Sequence, residues 1–182
     1  MVGDQPMRPD DVRARLDQLR SRLIQERVDA RIHVIGGSAM ALLFPDDPDV
    51  RVTRDIDAAI RPAPEVAKVV AAMAQEFGMS SRWLNANGAP FMPPGVSLDV
   101  VGHGVDITIA SVEDMIAMKL AASRDQDLRD LGILARHAGI ADAETLVDIA
   151  YAAYGEDSVV LSDSRDDYLQ MAEQALVAAR KH

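Results

Sequence analysis

The pattern that most restricts how this chain folds is Val34-Ile35-Gly36-Gly37-Ser38-Ala39-Met40, followed at residues 53–57 by Thr-Arg-Asp-Ile-Asp. A glycine pair at the end of an apolar strand lets backbone N–H groups approach an anion, and the helix that follows turns its positive end to the same place. Alternate residues of a strand share a face, so Asp55 and Asp57 present paired carboxylates to one point while Ile56 packs behind them. Hard oxygen donors of this kind suit Mg²⁺, with Mn²⁺ as the alternative; such an ion is held by one or two carboxylates plus phosphate oxygens. Gly36, Gly37 and Ser38 are therefore the candidate phosphate contacts, and Asp55 and Asp57 the candidate metal ligands. Each half alone is weak. Gly-Gly before a helix is a common turn, and acids at a strand end commonly serve to discourage edge pairing. The combination carries the expectation.

Periodicity places these residues on elements. Val12, Leu16, Leu19, Leu23 and Ile24 predict an amphipathic helix over residues 10–29, whose arginines are interleaved with acids on a solvated face. A short strand over 31–36, a short helix over 38–44 stopped by Pro45, and a strand over 52–60 follow. Val66, Val69, Val70, Met73 and Phe77 give a second amphipathic helix from Pro64 to Phe77, with Gly78 as its stop. Turn-formers dominate residues 79–104, except that 98–101 and 105–109 alternate as strands and predict a hairpin around Gly102-His103-Gly104. Ser111 with Asp114 reads as a capping box, and helices are expected over about 112–123, 126–138, 142–154 and 164–181. The first eight residues are expected to fray.

A chain of 182 residues, 48% hydrophobic, suffices for one well-buried core. The expected organisation is a core over 1–110 and a helical part over 111–182 that contributes to the site, the two forming one compact unit. There is no cysteine, and four scattered histidines make zinc a poor fit. No apolar run reaches the roughly 20 residues of a membrane span and no signal-peptide core is seen, so the expectation is a cytoplasmic protein without a membrane partner. The net charge of −10 is uneven: residues 1–91 carry 12 Lys and Arg against 13 Asp and Glu, the remainder 7 against 16. Global attraction to nucleic acid is thereby excluded. Any RNA contact needs a local patch, for which Arg51, Arg54, Arg61, Arg82, Lys119 and Arg124 are the candidates, against ordinary surface charge.

Strand, Gly-Gly-Ser, short helix, loop, then a strand with Asp-Ile-Asp resembles the signature of the nucleotidyltransferase superfamily, whose fold DNA polymerase beta and the small antibiotic-modifying nucleotidyltransferases share. Residues 39–54 separate Ser38 from Asp55, a spacing lengthened by Pro45-Asp46-Asp47-Pro48-Asp49. Downstream, the segment from Ser111 through Lys119 to Arg124, then Asp127-Leu-Arg-Asp130-Leu, resembles the corresponding region of AbiEii-like and MenT-like nucleotidyltransferases, and Trp83-Leu84-Asn85 resembles a compact branch of the same superfamily. The resemblance spans residues 31–137 and loosens toward the C-terminus.

It implies an α/β (α+β) fold: a small mixed nucleotidyltransferase-type sheet flanked by helices, with a C-terminal helical extension. It implies a transferase that uses a nucleoside triphosphate and Mg²⁺, bound by Asp55 and Asp57, with Gly36, Gly37 and Ser38 holding the leaving pyrophosphate. Lys119 would add positive charge against the triphosphate, and Thr53 and Arg54 are further nucleotide contacts. Asp127 and Asp130, three apart on a helix, either act as general base, fix Lys119, or pair with Arg124 and Arg129 on the helix surface. For a third metal carboxylate, Asp99 and Asp106 are the candidates, neither in an alignable motif. Relatives of this branch include toxins that transfer nucleotides to tRNA. The implied function is nucleotide transfer to RNA, tRNA first, or to protein, by the toxin of a toxin–antitoxin pair with a cognate antitoxin partner. The alternatives are a catalytically weak partner-binding member and a small-molecule nucleotidyltransferase of aminoglycoside type.

Overall fold

The computed structural model describes residues 6–100 and 102–179, with the side chains of Asp125 and Gln126 outside that description. It is a mixed α/β fold with two compact units: residues 1–90 with 97–110, and residues 91–96 with 111–182.

The first unit holds α1 (Pro9–Gln25), β1 (Ala30–Ile35), α2 (Gly36–Leu43), β2 (Ile56–Arg61), α3 (Ala63–Phe77), β3 (Leu84–Asn85) and β4 (Val105–Ile109). Its sheet runs β3-β2-β1-β4, with β1 antiparallel to β2 and parallel to β4, and β2 parallel to β3. Strand β1 lies centrally in this sheet, and its Ile32, Val34 and Ile35 are fully buried. Helix α1 packs against α2, α3 and β4, burying Val12, Leu16, Leu19 and Leu23 at the predicted spacing. It ends earlier than expected, because Arg27 turns into positive φ and Ile24 is left exposed. Helix α3 buries Val66, Val69, Val70 and Met73 and stops at left-handed Gly78, as predicted, but Phe77 is 42% exposed and stacks under the Arg15 guanidinium instead of entering the core.

Two expectations for the strands are corrected. The acidic strand begins at Ile56, not at residue 52: the Asp55 carbonyl is taken by the Ser38 and Thr53 hydroxyls, and Ile56 N–H is the first to enter the ladder, donating to the Trp83 carbonyl. Thr53 instead makes an isolated bridge with Met7, so Met7 is tied down where fraying was expected; residues 1–5 lie outside the described part. Nor does β4 pair with 98–101. Residues 98–100 carry no strand, residue 101 lies outside the description, and β4 joins β1. The cause is local. Asp29, just ahead of β1, accepts from Gly104 N–H (2.6 Å) and contacts His103 Nδ1 (3.1 Å), while Ala30 N–H donates to the Gly104 carbonyl, which starts β4 beside β1.

The second unit holds α4 (Val112–Ala122), α5 (Asp125–Ala138), α6 (Ala143–Tyr154) and α7 (Arg165–Ala179), close to the predicted boundaries; residues 180 and 181 of the expected last helix are outside the described part. Helix α4 packs on α5 and α6, and α7 on α5 and α6, around Met115, Ile116, Leu120, Leu131, Leu134, Leu146 and Tyr168. Ser111 caps α4 by accepting from Asp114 N–H, and its hydroxyl in turn donates to the Asp114 carboxylate. Gly132 on α5 lets the α7 backbone come close: a Cβ there would lie 2.7 Å from the Ala175 carbonyl. Among the described residues, no helix is long and apolar enough to cross a membrane.

Candidate functional site

The end of β1, the start of α2 and the start of β2 meet in the first unit. Gly36 takes φ +65°, which turns the chain from strand directly into helix and is favourable only without a side chain. The second reason for glycine is space. A Cβ on Gly36 would lie 2.9 Å from Asp57 Oδ2, so the bare backbone is what leaves room for that carboxylate. Asp57 is opposite Ile35 in the β1–β2 register, which fixes it at the mouth of the turn. No side chain caps α2, and the first N–H groups of a helix have no partner within it, so the donors at Gly36, Gly37 and Ser38 form a short cationic end beside an anionic side chain.

Asp55 is held at the same place by its backbone. Its carbonyl accepts from Ser38 Oγ (2.9 Å) and Thr53 Oγ1 (2.6 Å), and Thr53 Oγ1 would lie 3.7 Å from a Cβ on Gly37. Ser38 and Thr53 thus brace the segment that carries Asp55 against the start of α2, using their hydroxyls on protein groups. Arg54 lies exposed in the same bend.

Asn85, which the sequence reasoning did not place in the site, joins the two carboxylates. It sits opposite Asp57 in the β2–β3 register, so the two side chains leave the sheet on one face. Its Nδ2 donates to Asp55 Oδ2 at 2.9 Å. Asp55 and Asp57 are accordingly on the same face although only Asp57 belongs to the strand. The signal was Trp83-Leu84-Asn85: Trp83 is 3% exposed and donates from Nε1 to the Val70 carbonyl of α3, and that anchor sets Asn85.

Both carboxylates are half-buried, oxygen-only donors on one face beside space that a Cβ at position 36 would fill. This donor set fits Mg²⁺ or Mn²⁺. Neither candidate for a third carboxylate joins it. Asp106 is opposite Arg31 in the β1–β4 register and pairs with it at 3.2 Å, four residues or about 13 Å along β1 from the position opposite Asp57. Asp99 is also tied to Arg31, through its carbonyl. Among the described residues, no group of three or more His, Asp or Glu is placed to hold a metal. His33 lies in β1 with Nδ1 2.8 Å from Thr108 Oγ1.

In the second unit, Lys119, Asp127 and Asp130 come together. Lys119 is 7% exposed and Asp127 0%; Nζ donates to Asp127 Oδ1 and to Asp130 Oδ2, both at 2.7 Å. Arg124 Nε donates to the other Asp127 oxygen at 2.7 Å. Both aspartates thus hold Lys119, and Asp127 also pairs with Arg124, as expected, although its carboxylate is buried and not on the helix surface. Of the candidate basic residues, Lys119 and Arg124 are engaged by carboxylates within the second unit, and Arg61 lies opposite Arg31, at the end of β2 away from Asp57.

Taken together, the mixed sheet, a glycine turn opening a helix, and paired carboxylates at the start of the neighbouring strand define a site of the nucleotidyltransferase kind. The chain belongs to DUF6036, a family described as nucleotidyltransferases of unknown function, whose model it matches over residues 13–176. No curated protein and no solved structure matches it significantly. The superfamily is thereby given; the AbiEii-like or MenT-like branch is not.

Proposed function

We propose that this chain transfers a nucleotide from a nucleoside triphosphate to an RNA acceptor, tRNA first, or to protein, with Mg²⁺ or Mn²⁺ held by Asp55 and Asp57, and that it is the toxin of a toxin–antitoxin pair. The observation that carries the chemical part is the Asp57 carboxylate packed against Gly36, which sets the acidic segment beside the first N–H groups of α2. In such a transfer an acceptor hydroxyl oxygen bonds to the α-phosphorus and its proton passes to water, while the bond to the oxygen bridging to the β-phosphate breaks and pyrophosphate leaves with the electron pair. The bound cation supplies charge neutralisation on the phosphates. The Gly36, Gly37 and Ser38 N–H groups orient the phosphate oxygens, and Thr53 and Ser38 keep Asp55 in place by holding its carbonyl. Arg54, exposed beside Asp55, is the proposed further nucleotide contact. Lys119, Asp127 and Asp130 enter the proposal through their resemblance to the toxin-type branch, which also supports the tRNA acceptor and the cognate antitoxin.

A second reading, a catalytically weak member that binds a partner, is favoured by one observation: among the described residues no group of three acidic or histidine side chains is placed to hold a metal, where a two-metal mechanism uses three carboxylates. One experiment separates these. The chain and its Asp57→Asn variant are incubated with each labelled nucleoside triphosphate and Mg²⁺ or Mn²⁺, in the presence of tRNA, total RNA, protein extract or aminoglycosides. Label passing to tRNA or protein with the wild type alone supports the proposal, and label on aminoglycoside redirects it to a small-molecule enzyme. No transfer to any acceptor favours the partner-binding reading. Growth after induction of each chain at equal protein level tests the toxin part, and equal growth of both, matching an empty control, overturns it.

A further inference from the structure

We infer that Asn85 is a positioning residue that orients the Asp55 carboxylate and, by donating where a third carboxylate would accept, limits this site to a single divalent cation; the inference rests on the metal site of the proposed function. The orientation of the Asn85 amide is fixed by chemistry as well as by distance. Asn87 N–H donates to Asn85 Oδ1 at 3.0 Å, and since a backbone N–H is only a donor, the amide oxygen must face it. The NH₂ group is left to face Asp55 Oδ2, at 2.9 Å. Asn85 therefore offers the site a hydrogen-bond donor and keeps its own oxygen turned away.

Its location is equally determined. Strand β3 is only two residues long, too short to hold a side chain in place by pairing alone. Trp83, buried and bonded to the Val70 carbonyl, and Ile56 N–H, donating to the Trp83 carbonyl at 2.7 Å, fix the strand at both its neighbours. Asn85 then stands opposite Asp57 on the site face, adjacent to both acids. Position 85 is therefore a place on the sheet where a third carboxylate would meet Asp55, whereas Asp99 and Asp106 are held by Arg31 at the other end of β1.

The electrostatic consequence follows. Two carboxylates balance the charge of one divalent ion, and a neutral amide adds none; an aspartate at position 85 would bring a third negative charge and oxygen donors for a second ion. With the amide present, one Asp55 oxygen is occupied and the carboxylate plane is held, as outer partners of metal ligands generally do.

Titration of the 182-residue chain with Mn²⁺, following the free ion by electron paramagnetic resonance, reads this without any turnover. The wild type binds one ion. Asn85→Ala still binds one, about 10- to 100-fold more weakly. Asn85→Asp binds a second. Two ions in the wild type, an Asn85→Asp variant that stays at one, or an Asn85→Ala affinity equal to the wild type overturns the inference while leaving the nucleotidyltransferase proposal standing. No Mn²⁺ bound by the wild type overturns both. Circular dichroism melts accompany each variant, and if Asn85→Asp does not fold, the Asn85→Ala affinity decides alone.

Discussion

The Asp57 carboxylate lies so close to Gly36 that a single added carbon on that glycine would sit 2.9 Å from Asp57 Oδ2. Position 36 is closed to side chains twice over, by this contact and by its φ of +65°. Gly36→Ala is expected to cost about 1–3 kcal/mol of stability from the strained backbone and to displace the carboxylate. Urea unfolding measures the first and Mn²⁺ affinity the second. A variant as stable as the wild type with unchanged Mn²⁺ binding would show that the turn does not need glycine.

Asp57→Asn keeps the shape of the side chain and removes its charge. Nucleotide transfer should fall by roughly 10²-fold or more, while the melting temperature stays close to the wild-type value, because Asp57 is half-buried at a strand end and not part of the apolar core. Turnover within a few-fold of the wild type would remove Asp57 from the site.

Lys119 is buried between Asp127 and Asp130, so Lys119→Ala takes from two interior carboxylates the ammonium they share, leaving Asp127 to Arg124. The cost should be about 3–5 kcal/mol. Replacing all three with apolar residues of similar volume should recover most of that loss. Urea midpoints of the single and triple variants test the pair of statements, and a single variant as stable as the wild type would contradict them.

Gly132→Ala should destabilise by about 1–3 kcal/mol through overpacking, since the new methyl would meet the Ala175 carbonyl at 2.7 Å and Ala179 Cβ at 3.0 Å. The obstruction on one side is backbone, which cannot rotate away. Thermal unfolding of this variant alongside Gly139→Ala, where no atom lies within 4 Å and the penalty comes from φ +69° alone, separates packing from conformational strain.

Periodicity and punctuation by themselves determined most of the elements of this protein. The apolar spacing of α1 and α3 appears in the residue pattern because each buries one face, and Gly78 and Gly139 end their helices for a reason local to the backbone. The meeting of Gly36 with the Asp55 and Asp57 segment was also legible, since the chemistry concentrates in 22 consecutive positions, 36–57. What only the tertiary structure decided was pairing between segments remote in the chain. That β4 joins β1 in parallel, that Asp99 and Asp106 go to Arg31, that Asn85 comes to stand opposite Asp57, and that Lys119 is enclosed by Asp127 and Asp130 all depend on register and packing. A strand of two residues shows no alternation, and a lysine among apolar neighbours looks alike whether it faces a ligand or a buried acid, because the distinction lies in which partners the packed chain brings within hydrogen-bonding distance.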